Sequence, residues 1–463
     1  MQRNVIILAA GKGTRMHSDL PKVLHEVAGK AMVELVLDTS KAAGAQKIVT
    51  VIGHGAQAVR DRLGDQTEFA EQKEQLGTAH AIQMTEPLLG DVEGTTIIMS
   101  GDAPLFTVET INGLFDFHAQ SGNAVTVLTA TAPDPTGYGR IVRDENNNVT
   151  KIVEQKDANE LEQAIKEVNT GVYAFDNQLL FAALKKVKND NAQGEYYLPD
   201  TLEILREDNH TVGAFVMADF DESMGVNDRV ALARANAVLR QRINEGHLRN
   251  GVTMIDPMNT YIDVDVKIGY DTLIEPNVYI KGQSTIGNHV TITSGSRIEN
   301  SVIGDSVKID TSHLEQAEIQ MGADAGPYAH LRPKTVLGQD AHVGNFVELK
   351  NAKLGKHSKM GHLSYAGEAE IGQDVNIGAG TIFVNYDGMH KHTTVVGDRA
   401  FIGSNTKLIA PLVLADETIT AAGSTITDDL PIHAMGIARS RQVTKADFWH
   451  RTPLFGKFGA EED

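Results

Sequence analysis

The chain has 463 residues, more than one hydrophobic core usually organises, so we expect two or three domains. Its 42 Lys and Arg residues against 61 Asp and Glu give a formal net charge of −19, which argues against nucleic acid or an anionic membrane as a partner. The absence of cysteine excludes disulfides and thiolate chemistry, and we expect a cytoplasmic protein.

Short apolar runs alternate with amphipathic stretches over residues 1–227. The first run, residues 5–10, is too short for a signal peptide or a membrane span. Buried strands that alternate with helices predict an α/β domain with a mostly parallel sheet. The predicted strands are residues 5–8, 48–52, 96–99 and 124–128, and the predicted helices include residues 32–43 and 79–89.

Residues 228–250 are predicted to form a helical linker. Leu232, Leu239 and Ile243 recur at helical spacing and predict one apolar stripe. Asp228 is expected to cap this helix and Gly246 to end it. A solvated face is expected for its four arginines, Arg229, Arg234, Arg240 and Arg242.

After Gly251 the sequence acquires a period of about six residues. Each unit has an aliphatic residue, then glycine, then polar turn residues, as in the segments beginning Ile286-Gly287-Asn288 and Ile303-Gly304-Asp305. A helix cannot hold this period, whereas short strands stacked into a solenoid can. We expect strand coils from residue 251 to about residue 426, with loops leaving the coil at residues 320–334, 360–370 and 383–394.

A glycine-rich loop follows the first predicted strand, in the segment Leu8-Ala9-Ala10-Gly11-Lys12-Gly13-Thr14-Arg15-Met16. The backbone N–H groups of such a loop can approach a phosphate closely. The segment matches neither a Walker P-loop nor a dinucleotide fingerprint. A tight turn between a strand and a helix explains its glycines equally well, so both interpretations stand at this point.

A carboxylate follows another predicted strand, in the segment Ser100-Gly101-Asp102-Ala103-Pro104-Leu105. Asp102 can hold Mg²⁺ beside a phosphate at the carboxyl end of its strand, or it can cap the following helix. Together with Pro21-Lys22, the two segments resemble the sugar-1-phosphate nucleotidyltransferase family. The match continues through Gln72, Gly77-Thr78-Ala79, Gly137-Tyr138-Gly139-Arg140, Val153-Glu154, Asn169-Thr170-Gly171 and Gly225-Val226-Asn227.

The resemblance implies a Rossmann-like mixed sheet and a role for each matched residue. A sugar phosphate oxygen would attack the α-phosphorus of UTP, a reaction that needs alignment and charge neutralisation rather than a protein nucleophile. Asp102 and Asn227 would ligate Mg²⁺, and Arg15 and Lys22 would act on the phosphates. The implied uridyltransferase substrate residues are Leu8, Ala9, Ala10, Gly11, Lys22, Gln72, Gly77, Thr78, Gly139, Glu154, Asn169 and Asn227.

The six-residue period resembles the left-handed parallel β-helix of hexapeptide-repeat acyltransferases. His362 stands at a break in this period, about one coil after Lys350 and two after Arg332. Stacked coils can thus place a general base between two cations that hold a sugar phosphate. An inward-facing histidine that is hydrogen-bonded to the backbone is the competing interpretation.

The acyltransferase resemblance implies that His362 is the base for amine acetylation. It implies glucosamine-1-phosphate binding by Arg332, Lys350, Tyr365 and Asn376, acetyl-CoA binding by Ala379, Asn385, Tyr386, Ser404, Ala422 and Arg439, and a homotrimer. The tail after residue 437 contains Trp449 and acidic residues 461–463. It is expected either to cross a neighbouring subunit or to extend into solvent.

Over nearly its whole length the chain resembles the bacterial bifunctional uridyltransferase/N-acetyltransferase family. The resemblance implies that residues 251–463 acetylate glucosamine-1-phosphate from acetyl-CoA. Residues 1–227 would then join N-acetylglucosamine-1-phosphate to UTP, releasing pyrophosphate and UDP-N-acetylglucosamine, a cell-wall precursor. Two other interpretations are a monofunctional sugar nucleotidyltransferase whose β-helix serves oligomerisation or regulation, and a non-catalytic scaffold. The candidate sets around Asp102 and His362 disfavour both.

Overall fold

The structure, a computed structural model, describes residues 2–145, 147–191 and 193–458. The chain forms two compact units. The first runs to Glu245 and includes Ile262–Val264, and the second comprises Gly246–Tyr261 and the residues from Asp265 onward. None of the helices in the described part combines the length and the apolar character that a membrane span needs. The acidic residues 461–463 lie outside the described residues.

The first unit contains a mixed sheet of nine strands among the described residues. The strands of this unit are β1 (Arg3–Ala9), β2 (Glu26–Val27), β3 (Lys30–Ala31), β4 (Lys47–Ile52), β5 (Glu68–Glu71), β6 (Thr95–Ser100), β7 (Val125–Thr131), β8 (Arg140–Arg143), β9 (Val149–Val153), β10 (Glu167–Asp176) and β11 (Val212–Val216), of which β2 and β3 form a separate hairpin. The order in the mixed sheet is β11-β7-β10-β6-β1-β4-β5, with β8 against β10 and β9 against β8. Strand β10 runs antiparallel to β6 and β7, whereas β6, β1, β4 and β5 are parallel.

Helices cover both faces of this sheet, as the apolar runs predict. In β1, Val5 and Ile7 belong to one buried cluster and Ile6 to the other, because alternate side chains of a strand point to opposite faces. The helices are α1 (Met32–Ala42), α2 (Ala56–Leu63), α3 (Thr78–Gln83), α4 (Glu86–Leu89), α5 (Val108–Ser121), α6 (Glu160–Gln163), α7 (Asn177–Leu184), α8 (Asp200–Glu207) and α9 (Arg229–Arg249), with 3₁₀ turns at Thr14–Met16, Lys22–Leu24, Gly64–Gln66 and Phe220–Ser223.

The single helix predicted over residues 79–89 is wrong, since the structure divides this segment into α3 and α4. Pro87 stands in the first turn of α4 and has no backbone N–H to donate to the carbonyl of Gln83. The Thr85 hydroxyl instead donates to the Ile82 carbonyl at 2.7 Å. The missing donor therefore explains the break.

Helix α9, the predicted linker, packs on the first unit up to Glu245. Leu232 and Leu239 join the buried cluster that contains Val226. The solvated face predicted for its arginines is wrong at Arg242, which is only partly exposed, whereas Arg229 is exposed. Arg229 Nε donates to the Met16 carbonyl at 3.1 Å, and Arg242 Nη1 donates to the Leu105 carbonyl at 2.6 Å.

The predicted N-cap of α9 is confirmed and its predicted end is wrong. Asp228 Oδ1 accepts the backbone N–H of Ala231 at 2.8 Å. Gly246 lies inside the helix, with open space where its Cβ would stand, whereas Gly251 has φ +91°. The chain therefore leaves the helix at Gly251, because glycine adopts the left-handed conformation without a steric cost.

We expect Gly246→Ala and Gly251→Ala to change stability in opposite directions. Alanine at 246 raises helix propensity and should stabilise by about 0.5–1 kcal/mol. Alanine at 251 must hold a positive φ and should destabilise by about 1–2 kcal/mol. The urea midpoint of each full-length variant, compared with wild type, measures this difference. Equal shifts of the same sign would contradict the assigned helix end.

The second unit is a parallel β-helix whose strands stack in register from coil to coil. Most coils advance by 16 to 18 residues, as in Val302 opposite Glu318, Thr285 opposite Val302 and Ile268 opposite Ile286. The coil that contains loop 385–393 advances by 25 residues, from Asn376 to Phe401. One face comprises Thr253–Met254, Leu273–Ile274, Thr291–Ile292, Lys308–Ile309, Asp324–Ala325, His342–Asn345, Lys359–His362, Asn376–Ile377, Phe401–Ile402, Ile419–Thr420 and Met435–Gly436.

The other two faces form one continuous sheet of seventeen strands among the described residues. The aliphatic residue of each repeat points inward, and Ile274, Ile280 and Ile292 are fully buried. The strands are Thr260–Ile262, Lys267–Ile268, Val278–Lys281, Thr285–Ile286, Arg297–Glu299, Val302–Ile303, His313–Glu315, Glu318–Ile319, His330–Leu331, Val336–Leu337, Glu348–Leu354, Tyr365–Ile371, Ile382–Val384, Thr394–Val396, Lys407–Ile409, Leu412–Leu414 and Thr425–Ile426. A 3₁₀ turn at Pro257–Asn259 lies in the first coil, and the tail contains Trp449–Arg451 and the helix Pro453–Phe458.

Only one of the three predicted loops leaves the coil. Residues 385–393 depart after Ile382–Val384 and close through a bridge between Tyr386 and Lys391. The predictions for residues 320–334 and 360–370 are wrong, because strands in both segments pair with the next coil. The predicted end near residue 426 is also wrong, since Met435–Gly436 pairs with Ile419–Thr420. Backbone hydrogen bonds thus maintain the coil where the side-chain pattern lapses.

Candidate active sites

The first candidate site begins where β1 and β6 end side by side. Leu8 lies opposite Ser100, so the loops after both strands leave the sheet at the same edge. Ala9 and Ala10 are buried at this edge, whereas Gly11 is exposed, with open space around it. Gly13 has φ +59°, and a Cβ there would lie 2.5 Å from the Lys22 Cβ. Glycine therefore lets the loop pack against the stem of Lys22.

Lys22, Asp102 and Asn227 meet at this edge, although they are far apart in the sequence. The Lys22 ammonium contacts Asp102 Oδ2 and donates to Asn227 Oδ1 at 3.2 Å. The Ser100 hydroxyl donates to Asp102 Oδ1 at 2.5 Å. Asp102 does not cap the following helix, because Thr107 occupies that position. The capping interpretation is therefore wrong, and the carboxylate is available for ligand chemistry.

The geometry of this cluster fits a divalent cation. Asp102 Oδ2 and Asn227 Oδ1 both face one positive group, the Lys22 ammonium. Carboxylate and amide oxygens are the ligands that Mg²⁺ prefers in proteins. Arg15 lies outside the cluster: it is exposed on Thr14–Met16 and makes no hydrogen bond or ion pair with the described part of the chain.

A second group of predicted residues lies beyond β5. Gln72 is buried, and its amide Nε2 lies 3.1 Å from the Gly77 carbonyl and 3.1 Å from His80 Nδ1. Gly77 has φ +110°, and a Cβ there would lie 2.4 Å from the Tyr196 carbonyl oxygen. The Thr78 hydroxyl accepts the backbone N–H of Leu198 at 3.0 Å. The Gly77-Thr78 segment therefore packs closely against the loop that precedes α8.

Gly139 precedes β8, Glu154 follows β9, and Asn169 lies within β10; the three residues converge. Asn169 donates its backbone N–H to the Gly139 carbonyl at 2.9 Å, and a Cβ at Gly139 would lie 3.2 Å from Glu154 Oε1. The Asn169 amide donates to the Tyr173 hydroxyl at 2.7 Å. Burial raises the pKa of Tyr173, and the neighbouring Glu154 carboxylate raises it further. The structure thus brings the three predicted residues together and adds Tyr173, which keeps its proton.

The second candidate site is built on one column of the β-helix. Four backbone hydrogen bonds join its coils: Leu363 to the Asn345 carbonyl at 3.0 Å, Gly380 to His362 at 3.3 Å, Asn405 to Ala379 at 2.7 Å and Gly423 to Ser404 at 2.8 Å. In a parallel pair, each such bond puts the preceding residue opposite the acceptor. The column, here named the His362 ladder, is therefore Asn345, His362, Ala379, Ser404 and Ala422.

The environment of His362 suits a general base. Its ring is exposed, and its Nδ1 lies 2.7 Å from Asn345 Oδ1. An amide oxygen only accepts, so with this amide orientation Nδ1 carries the proton and Nε2 keeps a lone pair. The inward-facing interpretation of His362 is wrong, because its ring bonds a side chain at the surface. Asn345, which the sequence analysis did not select, fixes the tautomer.

Charged side chains gather on the adjoining face, here named the phosphate cluster: Arg332, Glu348, Lys350, Glu368 and Lys391. Arg332 Nη1 lies 2.9 Å from Glu348 Oε1, and Lys391 Nζ lies 3.4 Å from Glu368 Oε1. The Lys391 ammonium, and then the Arg332 guanidinium, lower the pKa of Lys350. Three cations against two carboxylates leave a positive surface that can attract a phosphate dianion.

Tyr365 and Asn385 adjoin the phosphate cluster. The Tyr365 hydroxyl and the Asn385 amide lie over Gly367, where a Cβ would be 2.3 Å and 2.7 Å from them. The Asn385 amide also contacts Glu368 Oε2. Burial raises the pKa of the Tyr365 hydroxyl, so it remains a neutral donor. The structure therefore groups Asn385, which the resemblance assigns to acetyl-CoA, with Tyr365, which the resemblance assigns to glucosamine-1-phosphate.

The remaining predicted residues lie at three other places. Asn376 is opposite Lys359, three residues and so about 10 Å from His362 along the strand. Tyr386 is exposed in loop 385–393 and donates to the Gly388 carbonyl at 2.6 Å. Arg439 is exposed, and its Cδ lies 3.8 Å from a Cβ built at Gly423. Gly423 follows Ala422, the last residue of the His362 ladder. Asn376 therefore lies in the strand that pairs with Lys359–His362, outside the His362 ladder rather than in it.

The sequence analysis missed Asn345, Glu348, Glu368 and Lys391. Asn345 precedes His362 by 17 residues, one coil, so the repeat length could have identified it. Glu348 precedes Tyr365 by the same interval. Glu368 and Lys391 carry no such signal, because loop 385–393 interrupts the period between them.

Comparisons with known proteins cover both units. The profile of the nucleotidyl transferase family matches residues 4–231, and the profile of the bacterial transferase hexapeptide family, with six repeats, matches residues 265–300. A relative from Lactobacillus delbrueckii subsp. bulgaricus is 54% identical over 98% of both chains. One from Streptococcus agalactiae is 54% identical over 98% of this chain and 99% of the relative.

A third relative, from Pediococcus pentosaceus, is 55% identical over 100% of this chain and 99% of the relative. All three are named bifunctional protein GlmU. Their matches run across the nucleotidyl transferase unit and the hexapeptide unit without a break in coverage. The resemblance of the sequence to a bifunctional family is therefore confirmed, and the chain belongs to the GlmU family of bifunctional proteins.

Proposed function

We propose that this enzyme makes UDP-N-acetylglucosamine in two steps, each at one of the candidate sites. The His362 ladder carries the bifunctional proposal, because a β-helix that served only oligomerisation would not need a base beside a phosphate cluster. Acetyl-CoA first acetylates glucosamine-1-phosphate, and N-acetylglucosamine-1-phosphate then reacts with UTP. Nucleotides and CoA thioesters are metabolites of the cytoplasm, and we assign the enzyme to that compartment.

In the acetyl transfer step, His362 Nε2 takes a proton from the substrate amine. The amine nitrogen attacks the thioester carbonyl, the C–S bond breaks, and the CoA thiolate leaves and is protonated. Arg332 and Lys350 hold the phosphate, and Tyr365 and Asn385 donate to the sugar. Ala379, Ser404 and Ala422 line the path of acetyl-CoA, since small residues along the His362 ladder let an extended chain lie flat on the coils. Tyr386 and Arg439 flank this path at its two ends.

In the uridyl transfer step, a phosphate oxygen of the sugar attacks the α-phosphorus of UTP, and pyrophosphate leaves. Asp102 and Asn227 would hold Mg²⁺, which neutralises charge on the phosphates when bound. Lys22 and Arg15 supply further positive charge, and Leu8, Ala9, Ala10 and Gly11 form the loop under the phosphates. Gln72, Gly77 and Thr78 form the uracil side of the site, and Gly139, Glu154 and Asn169 form the N-acetyl sugar side.

One incubation tests the whole proposal. Full-length protein is mixed with glucosamine-1-phosphate, acetyl-CoA, UTP and Mg²⁺, and the products are identified by mass spectrometry. Free CoA, pyrophosphate and UDP-N-acetylglucosamine are expected together. Uridyl transfer from supplied N-acetylglucosamine-1-phosphate without any acetylation would instead favour the monofunctional interpretation.

Asn345 should act as a positioning residue for His362. Asn345→Leu removes the acceptor of the Nδ1 proton, and acetyl transfer should fall roughly tenfold in kcat, the worth of one hydrogen bond. Asn345→Asp keeps an acceptor and should restore most of the rate. It should also move the acidic limb of the pH–rate profile to higher pH, because a carboxylate favours the protonated ring. Identical profiles for wild type and Asn345→Asp would count against this role.

We further propose that the chain works as a homotrimer. Tyr328, Phe346 and Leu363 are 58%, 55% and 62% exposed, and all three hold a positive φ, which is costly for bulky residues. The rings of Tyr328 and Phe346 stack at 5.4 Å. This apolar column borders the His362 ladder, so a second copy that covered it would complete the acetyl transfer site.

Removing the apolar column should weaken the assembly. Phe346→Asn and Leu363→Asn suit a positive φ, so folding is retained, while burial worth about 1.5–3 kcal/mol per side chain is lost. Sedimentation should show a dissociation constant roughly 10- to 100-fold higher per substitution. Val302→Asn, at a residue 53% exposed on another face, serves as the control. Wild-type assembly of both column variants would overturn the proposed interface.

A further inference from the structure

Two histidines and a glutamate on neighbouring coils converge next to the phosphate cluster, where His330 lies opposite Glu348. His313 lies opposite His330 in the next strand, and their rings stack at 5.2 Å with 12° between the planes. His313 Nε2 lies 3.2 Å from Glu315 Oε1. One ligand atom from each of the three side chains lies within 4.8 Å of the other two.

The Nε2 atom of His330 is buried and has no hydrogen-bond partner among the described residues. Leaving a buried polar atom unsatisfied costs about 1–3 kcal/mol, so this nitrogen requires an explanation. A metal ion accepts an electron pair, so a metal ion would satisfy the lone pair of an unprotonated His330 Nε2.

The charged side chains around this cluster include more glutamates than arginines, which favours a cation. Arg297 lies opposite His313 in the preceding coil, but its guanidinium stacks over Tyr279 at 5.4 Å. Glu299 lies opposite Glu315 in the same strand pair, and Glu348 lies opposite His330. Arg332 pairs with Glu348 and interacts electrostatically with Glu315, so three glutamates around the cluster face two arginines. The cluster therefore combines two imidazoles with a local excess of negative charge, which is the ligand chemistry of zinc-like ions.

We propose that His313, Glu315 and His330 bind a divalent transition metal ion such as Zn²⁺. Two imidazole nitrogens and one carboxylate oxygen form a three-ligand set at about 2.0–2.2 Å that leaves a fourth position open. Ligands of a zinc tetrahedron lie about 3.3 Å apart. The 4.8 Å spread therefore closes by about 1.5 Å when the ion binds, a change within the reach of side-chain rotation. This site differs from the oxygen pair of Asp102 and Asn227 in ligand type.

Co²⁺ binding to the full-length protein tests this proposal. Excess Mg²⁺ occupies oxygen-only sites, and the visible absorption of Co²⁺ reports nitrogen ligands. Wild type is expected to bind one Co²⁺ per chain. His313→Gln, His330→Gln and Glu315→Gln should each weaken binding at least about 100-fold, because losing an outer-shell partner already costs 10- to 100-fold.

His357→Gln is the matched control, since His357 also faces carboxylates, with Nδ1 3.1 Å from Asp374 Oδ1. This variant should bind Co²⁺ as wild type does. Wild-type affinity in His313→Gln and Glu315→Gln, or no Co²⁺ uptake by wild type above Mg²⁺, would overturn the proposal. If His330→Gln fails to fold, Glu315→Gln decides the matter, because it retains the size of the side chain and removes only the charge.

Discussion

Asp102→Ala is expected to lower uridyl transfer roughly 10³-fold and to leave acetyl transfer unchanged. Asp102 Oδ2 and Asn227 Oδ1 face one cationic position, and the loss of a metal there removes several kcal/mol of charge stabilisation, about 4 kcal/mol for this factor. Both half-reactions are measured on one preparation, by release of pyrophosphate and of free CoA. The chemistry at His362 uses none of these groups and should proceed at the wild-type rate.

The control for this variant is Asp116→Ala, which removes a carboxylate that pairs with Arg3 at 2.6 Å on the surface. It should leave both activities intact. Residues 1–250 expressed alone give a complementary test of the proposed domain division, because this fragment keeps the packing of Leu232 and Leu239. The fragment should transfer uridyl groups and lack acetyl transfer. A folded Asp102→Ala enzyme with normal uridyl transfer would refute the metal assignment.

His362→Ala is expected to have the opposite effect. Acetyl transfer should fall roughly 10²- to 10⁴-fold, the usual contribution of a positioned proton acceptor, while uridyl transfer stays at the wild-type rate. His362 is exposed and its ring bonds only Asn345 Oδ1 among the described side chains, so its removal should not disturb the coil. The melting temperature and the oligomeric state are measured on the same sample.

The matched control is His357→Ala, another exposed histidine of the β-helix, which lies between Asp340 and Asp374. It should leave acetyl transfer unchanged. A stable, trimeric His362→Ala protein that acetylates glucosamine-1-phosphate at a near-normal rate would exclude His362 as the base. Loss of acetylation together with loss of the trimer would indicate a structural role instead.

Local patterns determined the two architectures. The apolar runs at residues 5–8, 48–52 and 96–99 became β1, β4 and β6, because buried parallel strands need continuous apolar sequence. The six-residue period gave the β-helix, since each coil buries the aliphatic residue of the next. Predictions that rested on a single residue succeeded at the start of α9 and failed at its end. Asp228 caps α9, but Gly246 does not end it, because a glycine in a helix interior costs only about 0.5–1 kcal/mol, which the packing of the helix can outweigh.

Resemblance, rather than periodicity, supplied the candidate site residues, and the structure showed which of them meet. Lys22 and Asn227 are 205 residues apart, and no local pattern could predict their contact. The same is true of Lys391 and Glu368, which a loop brings together. Asn345 is different, because the coil length of 17 residues already places it beside His362.

The sequence by itself determined the two fold classes and the residue types available for each reaction. Tertiary structure decided which side chains share a site, because strand order and coil stacking bring distant residues to one edge or one column. It also showed that two of the predicted loops are continuous coil, since backbone hydrogen bonds do not depend on the side-chain pattern. The cluster of His313, Glu315 and His330 belongs to this second category: its members are unremarkable in sequence and converge only when two coils stack.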